Sequence, residues 1–171
     1  MSGEWKSTVW QEKLKNKPVR YWIRDEIEEI IKEESIDRKR FYEASKFQYA
    51  DIIDKFCCSF FDRKRNPDRT DLSYLWLNFK KQLNHSEPVM FTESWSAYIN
   101  NIVSLIPDYN ENELYYLVLS QGWVYEGYAC DIITVLNETD GLLEDFYIVS
   151  KKYEWCICHC DDGRNMQLIT K

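Results

Sequence analysis

The chain has 171 residues, of which 44% are hydrophobic and 16% aromatic, with five Gly, four Pro and a net charge of −7. That length and apolar content suit a single folded domain over 1–171, and the scarcity of Gly and Pro argues against long disordered linkers. No 20-residue apolar run is present and the start, MSGEWKSTVWQEK, lacks the apolar region of a signal peptide, so the expectation is a cytoplasmic protein whose six Cys are mostly free thiols.

Charge is divided unevenly. Residues 1–85 hold 18 Lys+Arg and 15 Asp+Glu, whereas residues 86–171 hold 4 Lys+Arg and 14 Asp+Glu. A nucleic-acid binder needs the opposite sign, so the acidic half argues against nucleic acid and suits a basic protein partner. The plain alternative is an acidic surface that serves only solubility.

Along the first half the period is helical. Trp5–Lys15 is a first candidate helix, ended at the KNKP turn before Pro18. From Tyr21 to Glu34, Ile23, Ile27, Ile30 and Ile31 recur at helical spacing with acids outside. Tyr49, Ile52, Ile53, Phe56, Cys57 and Phe60 form a second stripe within a helix over about 41–61. After the charged loop 62–70, Asp71 is a candidate N-cap for a helix bearing Leu72, Leu75, Trp76 and Phe79. Thr92 or Ser94 opens a further helix with Trp95, Tyr98, Ile99, Ile102 and Val103 inward, stopped near Pro107.

Past Pro107 the period changes to that of strands. Leu114–Leu119 and Trp123–Tyr128 flank a turn at Gly122, and Ala129, Ile132, Ile133 and Leu136 return briefly to helical spacing. Phe146–Ser150, Tyr153–Cys160 and Met166–Thr170 follow, joined at Lys151–Lys152 and at Asp162–Gly163, a two-residue hairpin signal. The expected class is α+β: a helical N-terminal part (1–107), then a mainly antiparallel sheet of about five strands (111–171) with one inserted helix.

Cys156, Cys158 and Cys160 alternate, so a strand would place all three thiols on one face, with Ile157 and His159 on the other. Alternate strand residues are about 6.6 Å apart, whereas two thiolates on one zinc sit about 4 Å apart, so the trio reads as core rather than a metal site. Neighbours in a strand diverge, so Cys158 and His159 do not form a catalytic pair; Cys130 with His85 is left as a distant pairing. Phosphate-binding glycine motifs are missing, and no cofactor is expected. Glu126, Glu138, Asp140, Glu144 and Asp145 cluster around the inserted helix and could do acid–base chemistry, but acids in turns and at helix ends are usually solvated. Trp123 and Tyr125 share one strand face. If helices cover only the other face, these aromatics and carboxylates meet a partner; if helices cover both, they are core.

The run LYYLVLSQGWVYEGYACDIITVLNET, followed by DFYIVSKKYEWCICHCDDG, resembles small bacterial immunity proteins of polymorphic or contact-dependent toxin systems over residues 111–163. The resemblance rests on an aromatic strand, the turn Tyr125–Glu126–Gly127, a short helix, and the hairpin from Asp145 to Val149 through Lys151 or Lys152 and Trp155 to Asp161–Asp162. Where some relatives carry a polar or His-rich hairpin end, this chain has Cys158, His159 and Cys160. The resemblance implies a non-enzymatic protein that binds and neutralises a cognate basic toxin, for instance a nuclease. The partner-binding residues would be Trp123, Tyr125, Glu126, Glu138, Asp140, Glu144, Asp145, Asp161 and Asp162. The alternatives are a binding or scaffold protein with another partner, or a carboxylate- or zinc-dependent enzyme.

Overall fold

In the computed structural model, which describes residues 18–62, 72 and 74–171, one antiparallel sheet of eight strands organises the chain. Helix α1 is Pro18–Glu33, strand β1 Phe41–Glu43 and helix α2 Lys46–Phe60. A 3-10 turn at Leu75–Asn78 leads to the two-residue strands β2 (Asn84–His85) and β3 (Val89–Met90). Short helices α3 (Trp95–Asn100) and α4 (Ile102–Leu105) precede strands β4 (Leu114–Leu119) and β5 (Val124–Tyr128). Helix α5 (Ala129–Asn137) then leads to β6 (Phe146–Ser150), β7 (Trp155–Cys160) and β8 (Asn165–Thr170).

The spatial order is β1-β5-β4-β6-β7-β8-β2, with β3 also pairing β8. The expected split into a helical first half and a five-stranded second half is therefore wrong. Residues before 107 supply three strands and close both ends of the sheet. The misreading has a physical cause: β1–β3 are two or three residues long, too short to carry a period, and are fixed by pairing with β5 and β8.

Register assigns the faces, because residues directly opposite share a side. Tyr116, Val118, Val124, Glu126, Tyr147, Val149, Cys156 and Cys158 share one side; Leu117, Tyr125, Phe146, Ile148, Ile157 and His159 share the other. Helix α2 covers the first side: Phe56 packs 5.1 Å from Tyr147, and the Tyr49 hydroxyl accepts from Val124 N–H at 2.7 Å. Helices α3 and α5 cover the second, where Trp95 Nε1 donates to the Leu136 carbonyl at 2.7 Å and Tyr98 meets His159. The isoleucine stripe of α1 (Ile23, Ile27, Ile30, Ile31) is buried in the same core. Pro18 starts that helix, where its missing N–H costs nothing. Trp5–Lys15 and Asp71 lie outside the described residues.

Between β7 and β8 the chain makes a four-residue turn, Asp161–Arg164, rather than a two-residue one, since Cys160 pairs with Asn165. Gly163 (φ 93°) and Arg164 (φ 45°) take left-handed conformations in it. Gly127 meets a different demand: a Cβ there would stand 2.7 Å from the Phe41 ring and 2.9 Å from the Arg40 carbonyl oxygen, so β1 could not approach β5. Among the described residues, no helix is long and apolar enough to cross a membrane.

Candidate functional site

Four of the nine residues expected to face a partner are buried: Asp145, which borders a pocket, and three more that are enclosed in the core. Trp123, Tyr125 and Glu126 are 3%, 0% and 6% exposed. Helices cover both faces of the sheet, so alternation sends both sets of side chains inward. Tyr125 stacks on Phe41 at 5.1 Å with the rings 8° from parallel, and the Arg24 guanidinium lies 5.9 Å from the Trp123 ring. Glu126 is ion-paired with Lys151, whose ammonium also sits 4.3 Å from the Tyr116 ring centre. These three residues hold the β5 region together and are not a docking surface.

Of the other six, Glu144, Asp145, Asp161 and Asp162 gather at the end of the sheet where β6 begins and β7 turns into β8. Asp145 immediately precedes β6, and Asp161 and Asp162 open the β7–β8 turn. A pocket of ≈ 410 Å³ is lined by Tyr74, Glu144, Asp145, Asp161 and Asp162. Four carboxylates and one phenol form its wall, with no basic side chain among those residues. Glu144, Asp161 and Asp162 are exposed. Asp140 is close by but engaged, accepting from Arg164 at 2.6 Å while that guanidinium lies 3.9 Å from the Phe91 ring. Glu138 caps the C-terminal end of α5 and is exposed without lining the pocket.

Asp145 plays a part that its sequence neighbourhood does not reveal. It is 5% exposed and accepts three N–H donors: Tyr74 N at 3.2 Å, Trp76 Nε1 at 3.1 Å and Asp161 N at 3.0 Å. Burial pushes its pKa up, and the three donors pull the other way. It therefore ties the 3-10 turn to the β7–β8 turn and sets the pocket's two walls. Tyr74 is held there in a left-handed backbone (φ 58°, ψ 23°) and is 56% exposed.

Beside this pocket lies a smaller one of ≈ 190 Å³, in which Trp76, Phe79 and His85 face Cys158 and Cys160. Both pockets include Asp162. Cys160 donates its thiol to the Asp162 carbonyl at 3.0 Å, and burial pushes its pKa up to about 12. Cys156 and Cys158 lie deeper, with pKa values driven well above the ordinary thiol range by burial. Neutral buried thiols are poor nucleophiles and poor ligands. Among the described residues no group of three His, Cys, Asp or Glu side chains is placed to hold a metal ion.

His159 lies on the opposite side of β7 from these thiols. It is fully buried, stacked 4.6 Å from Phe146, with Nδ1 2.7 Å from the Tyr98 hydroxyl and Nε2 unpartnered. Burial lowers its pKa to about 4, helped by the charge of Arg164. The distant candidates, Cys130 and His85, are at opposite edges of the sheet. Cys130 opens α5 beside Arg40, which precedes β1, whereas His85 is in β2 against Phe79.

Sequence reasoning missed Tyr74, Trp76 and Phe79 as site residues and offered His85 only as a distant partner of Cys130. Trp76 and Phe79 were legible only as an apolar stripe, and they are indeed half-buried. The one available signal was the proximity of two acidic segments, 144–145 and 161–162, to the ends of adjacent hairpin strands.

A family model described as a family of unknown function (DUF6756) matches residues 19–170. No curated protein and no solved structure matches the chain.

Proposed function

The chain belongs to the DUF6756 family, and from that premise we propose that it is a non-enzymatic, cytoplasmic protein that captures a basic partner protein at the acidic pocket. The partner class we favour is a toxin domain with a cationic substrate cleft, such as a nuclease, which the protein would occlude as an immunity protein does. The observation that carries the proposal is the convergence of Glu144, Asp145, Asp161 and Asp162 with Tyr74 on one pocket of ≈ 410 Å³.

Small-molecule sites are mostly apolar with a few polar groups. This pocket reverses that balance, and its chemistry matches a Lys or Arg side chain delivered by a protein surface. Tyr, Trp and Arg are common anchors of protein interfaces, so an exposed tyrosine beside the exposed carboxylates of Glu144, Asp161 and Asp162 suits the role. Complementary charge would speed encounter as well as hold the complex. The non-enzymatic part of the proposal is supported by the fate of the candidate chemistry: Glu126 is engaged by Lys151, His159 is enclosed by aromatics, and Cys156 and Cys158 are neutral in the core.

The test is the association rate with a partner recovered from the source cells, measured across ionic strength. A steep fall with salt is the expected result. A flat response would remove the electrostatic basis of the proposal.

A further inference from the structure

The acidic pocket does not stand alone. The groove next to it shares Asp162 and is lined by the rings of Trp76, Phe79 and His85 and the thiols of Cys158 and Cys160, with the amides of Asn165 and Gln167 adding polar groups. Five large hydrophobic side chains are strongly exposed among the described residues, and two of them, Tyr74 (56%) and Leu77 (59%), belong to the turn that forms this wall. Exposed apolar groups concentrated beside a groove mark an interaction site more than scattered ones do. The groove is also preorganised: the indole N–H of Trp76 is held by Asp145, and the Gln167 amide is held by the Ser86 carbonyl at 3.0 Å. A wall already fixed loses little freedom on binding.

We propose that this groove is an aromatic-lined subsite of the same docking surface, and that it takes one large aromatic side chain from the partner segment whose basic side chain enters the acidic pocket. The inference rests on the partner-binding reading above and adds the partner's chemistry: a cation with a bulky aromatic residue close beside it. Charge complementarity selects this occupant. The groove shares Asp162 with the acidic pocket, so a side chain carried on an acidic segment would be repelled, and a second copy of this chain brings its own net charge of −7. A cavity of ≈ 190 Å³ accommodates one side chain rather than a helix face, so the segment presents its anchors singly.

The experiment is an NMR titration of the full chain with three blocked peptides: Arg-Gly-Trp, Arg-Gly-Gly and Glu-Gly-Trp. The Arg-Gly-Trp probe should bind about tenfold tighter than Arg-Gly-Gly, the gain expected from burying one large aromatic side chain. It alone should shift the Trp76 indole and Gln167 amide signals together with the backbone signals of Asp161 and Asp162. Equal affinity of the two Arg peptides, with shifts confined to the acidic pocket, would overturn the subsite and leave the acidic-pocket reading standing. Glu-Gly-Trp binding as tightly as Arg-Gly-Trp would overturn the coupling to a basic segment. Failure of every Arg peptide to bind would sink the acidic-pocket reading itself.

Discussion

The indole N–H of Trp76 donates to Asp145 Oδ2 at 3.1 Å, joining residues 69 positions apart. The bond fixes the 3-10 turn against the start of β6. Through it, one carboxylate sets both the acidic pocket and the aromatic-lined groove beside it.

Replacing Asp145 by Asn keeps the shape but turns an amide toward donors. Three N–H groups then compete for one neutral acceptor oxygen. Hydrogen bonds to a charged acceptor contribute about 1.5–3 kcal/mol each, so D145N should lose roughly 2–3 kcal/mol in urea unfolding. The left-handed Tyr74 should relax at the same time, visible as loss of its amide's protection from hydrogen exchange.

Lys151 and Glu126 form an ion pair in which the carboxylate is nearly buried. K151M leaves that carboxylate without its partner and should cost about 2–4 kcal/mol. Adding E126Q removes the stranded charge and should recover much of the loss, a pattern measurable by a double-mutant cycle. If E126Q alone abolished an activity without touching stability, Glu126 would have to be assigned to catalysis.

His159 makes stability depend on acid. Its folded pKa, lowered by burial to about 4, is below the ordinary 6.5, so the unfolded chain binds the proton first. Stability from this group is fully present above pH 6.5 and is lost as pH falls from there through about 4. The change amounts to about 3 kcal/mol once both states are protonated. Around the ring stand Phe146, Trp95 and the Tyr98 hydroxyl, with the Arg164 charge nearby, and none of these offers the imidazolium a carboxylate. H159Q should flatten the slope of unfolding free energy between pH 6.5 and 4, whatever it does to stability at pH 7.

Gly127 is the point where β1 closes the sheet. G127A places a methyl against the Phe41 ring and the Arg40 carbonyl, both inside ordinary contact distance. The expected cost is about 1–3 kcal/mol in thermal or urea unfolding. Exchange protection should fall first at β1 and β5, which pair there.

The strands from Leu114 onward were legible because each is long enough to show β-branched and aromatic runs between turn residues. The isoleucine stripe of α1 and the aromatic stripe of α2 were legible for the matching reason, a 3.6-residue period over four turns. Phe41–Glu43 was not. Its three residues read as the first turn of α2, and only pairing of Phe41 with Gly127 and Glu43 with Tyr125 makes them a strand. The turn at 75–78 read as a helix because Leu75, Trp76 and Phe79 fit its spacing; the Asp145 carboxylate instead draws Tyr74 and Trp76 toward it from far along the chain. At the site, the exposed acids Glu144, Asp161 and Asp162 were visible as charge. The burial of Trp123, Tyr125 and Glu126 depended on helices covering both faces, which alternation cannot reveal.

The most direct measurement is capture and rescue with one charge-reversed variant. The three exposed acids lining the pocket are changed together (E144K, D161K, D162K), and the fold is checked by unfolding. Wild type and variant are then used as bait in the source cells. Wild type should retain a basic protein that is toxic when expressed alone and harmless when co-expressed with wild type, and the folded variant should neither retain nor neutralise it. A toxic partner that binds and is neutralised equally by the variant, or the absence of any basic partner on wild type, would contradict the acidic pocket as the working surface.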